Sequence, residues 1–142
     1  MAREVDVMLV EDNPDDATLT LRSLGKAGAA DKVLHVEDGA HALEVLLGAN
    51  GLAKLPRFIL LDLKLPKVSG LEVLRQLKAN ARTRRIPVVV LTSSKEERDV
   101  AESYQLGVNS YVVKPVGFEE YTAAVVDLAR YWTQLNEVGD RL

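Results

Sequence analysis

One stretch, Phe58-Ile-Leu-Leu-Asp62-Leu-Lys-Leu-Pro66, constrains the fold more than any other. Four apolar residues run without a polar interruption and stop on a carboxylate, and a proline follows four residues later. A run this short, closed by a turn signal, predicts a strand buried on both faces of a parallel sheet. Asp62 then stands at the carboxyl end of a central strand, where open α/β sheets bind their ligands. A carboxylate in that place can also do no more than solvate a strand end, so the other strand ends decide.

Four further short strands are predicted over 5–10, 32–36, 86–91 and 109–113. Helices are predicted between them. Asn13 suits an N-cap, Pro14 the first helical position, and Asp15 and Asp16 the positive helix end. That helix turns Ala17, Leu21 and Leu24 inward and stops at 25–28. Asp38-Gly39 opens a second helix with Leu43, Leu46 and Leu47 on one face. Ser69-Gly-Leu-Glu72 has capping-box spacing, and Leu71, Leu74 and Leu77 follow it at helical intervals. Ser94-Lys-Glu-Glu97 has the same spacing and predicts a fourth helix running to Gly107. The last helix, about 117–137, carries Phe118, Tyr121, Val125, Leu128, Trp132 and Leu135 at alternating intervals of three and four. Its early positions are expected to pack on the sheet, with Trp132 and Leu135 extending past the core.

Strand and helix alternate five times, which predicts one parallel sheet covered on both faces with right-handed crossovers. With 142 residues, the chain is expected to form one domain over 1–142, and a chain of this size buries roughly 68–70% of its unfolded surface. A net charge of −3 gives no electrostatic footprint for nucleic acid. The absence of cysteine excludes disulfides and thiolate chemistry. No apolar run approaches the ~20 residues of a membrane helix, and no signal peptide is legible at the start. The expectation is a cytoplasmic protein.

The chemistry collects at the strand ends. The first strand ends in Glu11 and Asp12, the third in Asp62, the fourth in Thr92 and the fifth in Lys114. Only the second ends without an obvious member, because Glu37 and Asp38 read as turn and cap. In a parallel sheet these ends share one edge. Three carboxylates cannot all stay ionised at close range without a compensating cation. Lys114 offsets one charge, and a hard divalent ion such as Mg²⁺ on oxygen ligands would offset the rest. Such a site suits phosphoryl transfer, with a carboxylate as nucleophile. His35 and His41 have no ligand spacing between them and read as structural or surface residues.

Leu9-Val-Glu11-Asp12-Asn13, Leu60-Leu-Asp62 with Pro66 and Gly70, Leu91-Thr92-Ser93 and Val113-Lys114-Pro115, in this order and spacing, resemble the receiver domains of two-component response regulators. The resemblance runs from Val5 to about Leu128. It implies a doubly wound, flavodoxin-like α/β fold: a five-stranded parallel sheet of order 2-1-3-4-5 flanked by five helices. It implies that Asp62 accepts a phosphoryl group from a sensor histidine kinase. Asp12, Asp62 and the backbone carbonyl of Lys64 would then bind Mg²⁺ or Mn²⁺, with Glu11 acting through a water. Lys114 would contact the phosphoryl group, Thr92 would swing in to bond it, and Tyr111 would change rotamer on activation. The Lys114-Pro115 bond is expected to be cis.

No second domain is legible after the receiver, so the output is expected to be protein contact or onward phosphotransfer, without nucleic acid or membrane. The loop through 51–56 and the Tyr131-Trp132 tail resemble stand-alone receivers paired with bacterial phytochrome kinases. That subgroup implies a bacteriophytochrome as kinase and a homodimer through the fourth helix, fifth strand and fifth helix, with Tyr131, Trp132 and Leu135 at the interface. Two other classes compete. A haloacid-dehalogenase-type phosphatase needs a second Asp two positions after the nucleophile, where this chain has Lys64. A flavodoxin-like flavin binder needs a phosphate-cradling loop after the first strand, where this chain has acidic residues over 11–16.

Overall fold

A computed structural model describes residues 4–52 and 54–139. The two ends of the expected domain and Ala53 of the loop before the central strand lie outside the described residues. Five parallel strands, β1 (Val7–Val10), β2 (Val33–Val36), β3 (Phe58–Leu61), β4 (Val88–Thr92) and β5 (Ser110–Val113), pair in the order β2-β1-β3-β4-β5. The helices are α1 (Pro14–Lys26), α2 (Gly39–Leu47), α3 (Gly70–Ala79), α4 (Glu97–Gln105) and α5 (Phe118–Arg130), the last continuing into a π-turn at Tyr131–Leu135. The flavodoxin-like fold and strand order are those expected. Among the described residues no helix is long and apolar enough to cross a membrane.

The burial of each strand follows its place in the order. β1, β3 and β4 are buried at every residue, whereas the edge strands β2 and β5 are half-exposed. Successive side chains of a strand point to opposite faces, so each central strand feeds two cores. Met8, Val10, Ile59, Leu61, Val88 and Val90 pack under Ala42 and Leu46 of α2 and Val73, Leu74 and Leu77 of α3. Val7, Leu9, Phe58, Leu60, Val89 and Leu91 pack under Leu24 of α1 and Tyr121, Val125 and Ala129 of α5. Full burial of one such side chain contributes about 1.5–3 kcal/mol. Thr20 and Tyr121 share a buried hydrogen bond of 2.8 Å that ties α1 to α5.

The turn after β3 is held by close approach. A Cβ at Gly70 would come within 2.2 Å of the Asp62 carbonyl, so only glycine lets α3 start against the end of the central strand. The Gly70 amide donates to Leu63 at 2.9 Å. Lys67, in the same turn, takes a left-handed φ of 68°.

Several local expectations are corrected. The Ser94 capping box does not form: α4 starts three residues later, at Glu97, with no side-chain cap. The Ser94 hydroxyl instead donates to Asp99 at 2.6 Å. The stripe on the last helix is not uniformly inward. Phe118 is 58% exposed, and the buried positions are Tyr121, Val125 and Ala129, four apart as a straight α-helix against a sheet requires. Trp132 does not extend past the core. The π-turn carries it back under the sheet, where its ring stacks on Phe58 with centroids 6.5 Å apart. Lys114-Pro115 is not cis, since no cis peptide bond occurs among the described residues. Trans is the ordinary X-Pro preference by about 0.5–1 kcal/mol, and Lys114 reaches its partners without the cis form.

Candidate functional site

Glu11, Asp62 and Lys114 each sit one position past a strand end, and a main-chain bond to the neighbouring strand fixes each there. Glu11 donates its amide to Val36 at 3.1 Å, Asp62 to Val10 at 3.1 Å and Lys114 to Thr92 at 2.7 Å. Thr92 is itself the last residue of β4 and pairs with Val113. The ladder therefore runs to the rim of the sheet before the chains diverge, so the strand ends meet as the sequence predicts.

Asp62 is at the centre and is 6% exposed. Its Oδ1 accepts from the Thr92 hydroxyl at 2.8 Å and from the Lys64 amide at 3.2 Å. Its Oδ2 accepts from Lys114 Nζ at 2.8 Å. Burial pushes its pKa up, but the Lys114 ammonium, the Thr92 hydroxyl and the Lys64 amide outweigh that, and the carboxyl is held below the usual range. Asp62 therefore stays ionised and able to act as a nucleophile.

Lys114 Nζ also donates to Glu11 and to Asp16, each at 2.7 Å. Burial disfavours its charge, yet the bonds to Asp16, Asp62 and Glu11 dominate and hold the ammonium above the usual lysine range. Glu11 is 2% exposed. Burial, with the Asp62 charge beside it, pushes its carboxyl up to about 7 against the pull of Lys114 and of the Asn13 amide.

Asp12, the residue after Glu11, is exposed, and so is Lys64, whose amide reaches Asp62. Among the described residues no three His, Asp or Glu side chains form a ready-made cation cage; the ammonium of Lys114 holds the point where carboxylates converge. Three carboxylates facing one ammonium leave excess negative charge, and the donors are hard oxygens. Charge and donor chemistry thus fit a hard divalent ion, although the ligands are not gathered around one point.

Tyr111 lies outside the cluster. It is half-buried, and its hydroxyl donates to the Ser94 carbonyl at 2.8 Å, in the loop that follows Thr92. At the other end of the molecule, Tyr131 and Leu135 are 48% and 74% exposed, and neither belongs to the site. His41 is exposed on α2. Two residues at the site were not predicted. The helix dipole alone accounts for Asp16 in the sequence, and its place one turn after Asp12 is the available signal. His35 bonds the Glu11 carbonyl through Nε2 at 2.8 Å; a polar residue next to the end of an apolar strand was its only mark.

The family described as response regulator receiver domain matches residues 7–126. Among curated proteins the chain is 44% identical to the probable methanogenesis regulatory protein FilR2 of Methanothrix harundinacea, over 92% of this chain and 84% of that one. It is 37% identical to the response regulator Rcp1 of Synechocystis sp., over 90% and 88%. Among solved structures it resembles the phosphorylated cyanobacterial phytochrome response regulator RcpA, with a TM-score of 0.88 and 35% identity over 96% and 99% of the two chains. The Mn²⁺-bound form of Rcp1 gives 0.87 and 34% over 96% and 99%. The bacteriophytochrome response regulator AtBRR gives 0.71 and 48% over 96% and 100%.

Proposed function

The chain belongs to the response regulator receiver domain family of two-component signalling, and from that premise we propose that it is a stand-alone module accepting a phosphoryl group on Asp62. One observation carries the reading: a single buried carboxylate receives a hydroxyl on one oxygen and an ammonium on the other. In the proposed reaction an Asp62 oxygen attacks the phosphorus of a phosphohistidine on a sensor histidine kinase. The P–O bond forms as the P–N bond breaks, and the electron pair leaves with the imidazole. Asp12, Asp62 and the Lys64 carbonyl, with Glu11 through a water, would hold Mg²⁺ or Mn²⁺. When bound, that ion would neutralise charge on the phosphoryl oxygens. Lys114 supplies the second positive charge, moving its bond from the carboxylate to the phosphoryl group.

The switch follows from the same bonds. Thr92 now donates to Asp62, and Tyr111 donates to the loop directly after Thr92. A Thr92 hydroxyl that turns to a phosphoryl oxygen would draw that loop with it and release Tyr111. Such a module turns over only its own phosphorylation and dephosphorylation. It would act in the cytoplasm through protein contacts rather than on nucleic acid. The likeness to Rcp1, RcpA and AtBRR supports a bacteriophytochrome as the kinase.

The deciding test is Mg²⁺-dependent labelling by acetyl phosphate. We expect wild type to be labelled and Asp62→Asn to show none; full labelling of Asp62→Asn would remove the assignment.

The same reading places a homodimer on α4, β5 and α5. It is supported by the unpaired edge of β5 and by exposed Tyr104, Tyr131 and Leu135. Trp132, stacked on Phe58, is at most a rim residue. Leu135→Arg is expected to shift the sedimentation profile toward monomer, and an unchanged profile would count against this face.

A further inference from the structure

We propose that His35 is a positioning residue for the acidic turn: by donating to the Glu11 carbonyl, it fixes the main chain from which Asp12 leaves the sheet. The inference rests on the phosphoacceptor reading above and adds the second strand to it. That strand had no member in the site.

The β1–β2 ladder runs out at Glu11. In a parallel pair one residue bonds two positions of its neighbour, through its N–H to one and its C=O to another two residues further on. Glu11 makes the first of these bonds, from its amide to Val36 at 3.1 Å. The second would need the chain of β2 to continue alongside. It does not. β2 ends at Val36, and the chain enters α2 through Asp38, whose side chain caps the His41 amide at 2.7 Å. The Glu11 carbonyl would be left without its ladder partner at the buried rim of the sheet. His35 Nε2 stands in for the missing rung at 2.8 Å.

Because a carbonyl oxygen only accepts, this geometry requires the proton on Nε2. Any side chain at 35 without a donor at that reach would leave the oxygen unpaired.

The bonded oxygen is a consequential one. The Glu11 carbonyl belongs to the planar peptide unit that joins Glu11 to Asp12. Holding it sets the direction in which Asp12 departs. Glu11 has its own anchors, since its carboxylate bonds Lys114 and the Asn13 amide. Asp12 is exposed, so its placement depends on the peptide that precedes it. Partners that orient a metal ligand without touching the ion typically change metal affinity by about 10–100-fold when removed.

The test uses the full chain and Mn²⁺ as probe. Affinity is read from water-proton relaxation, and the exchange of the Asp12 and Asn13 amides is read in metal-free buffer. His35→Leu, which keeps volume and loses the donor, is expected to bind Mn²⁺ at least about tenfold more weakly and to exchange those two amides faster. His35→Asn, polar but too short to reach, should share the loss, and it serves in place of His35→Leu if that variant does not fold. His35→Gln, which can donate at similar reach, should restore most of the affinity. A lowered melting temperature with unchanged Mn²⁺ affinity in His35→Leu or His35→Asn would overturn the inference and leave the phosphoacceptor reading standing. Failure of wild type itself to bind Mn²⁺ would remove the metal reading and this inference with it.

Discussion

Lys114 and Lys78 sit at opposite ends of the sheet, and each ammonium has three oxygen partners. At the carboxyl end, Lys114 meets the carboxylates of Glu11, Asp16 and Asp62 at 2.7–2.8 Å. At the amino end, Lys78 reaches the Arg84 and Ile86 carbonyls and the Asn109 side-chain oxygen at 2.9–3.1 Å. The count of bonds is the same, and the effect on the proton is opposite. Anionic partners hold Lys114 above the usual lysine range, whereas burial among neutral dipoles pulls Lys78 down to about 8. The lower lysine pins the loop before β4 to the start of β5 and is complete as it stands. The upper one leaves negative charge unbalanced. The proposed phosphoacceptor site is distinguished by that imbalance, not by having a buried lysine.

The largest expected effect comes from breaking the upper cluster. Lys114→Met would leave three carboxylates facing one another. Removing one partner of a buried ion pair costs about 3–5 kcal/mol. The lower end of that range is expected, because Glu11 already titrates near 7 and can take up a proton, and because Asp16 is one-third exposed. Urea unfolding at neutral pH measures this, together with a steep loss of labelling by acetyl phosphate. A variant as stable as wild type would show that Lys114 does not neutralise the cluster.

Lys78→Met is the matching change below, and it separates the two ends. It strips the donor from two main-chain carbonyls, while the Asn109 oxygen keeps the Val88 amide at 2.9 Å. The expected cost is about 1–3 kcal/mol, with labelling of Asp62 unaffected. The pH profile carries a sign. Between about 8 and 10.5 the unfolded chain binds more protons at Lys78 than the folded one, so this group makes stability rise with pH there. Glu11 acts oppositely from 4.5 to about 7, where the folded state holds the extra proton and stability falls as pH rises. The offset in melting temperature between wild type and Lys78→Met should stay constant across the acidic window and change with pH only in the alkaline one.

The parts of this arrangement legible in the sequence are those with a single physical explanation. A run such as Phe58-Ile-Leu-Leu has no amphipathic reading, and its short length and closing turn signal point to a central strand; parallel topology then brings Asp62, Thr92, Lys114 and Glu11 to one edge. What the sequence hid were residues with an adequate local explanation that tertiary contacts overrode. Ser94 had a capping spacing, but Asp99 took its hydroxyl. Trp132 fitted an extended helical stripe, but the π-turn folded it onto Phe58. His35 looked like an ordinary strand residue because the missing ladder bond it replaces depends on where β2 leaves the sheet. Asp16 was explained by the helix dipole, yet it is one of three anions on Lys114.

Asp16 therefore gives the smallest and most discriminating prediction. Its side chain is 33% exposed, against 2% for Glu11 and 7% for Asp62, so solvent screens it most. Asp16→Asn is expected to change stability by less than about 1 kcal/mol, whereas the same loss of charge at Asp62 is expected to abolish labelling. Its effect should be kinetic. With one anion fewer to hold it, Lys114 turns more readily from the carboxylates to an incoming phosphoryl oxygen, and uptake from acetyl phosphate should be a few-fold faster. Slower uptake in Asp16→Asn would mean that Asp16 aims Lys114 at the acceptor rather than competing for it. The cluster would then contain two carboxylates that position and one that reacts.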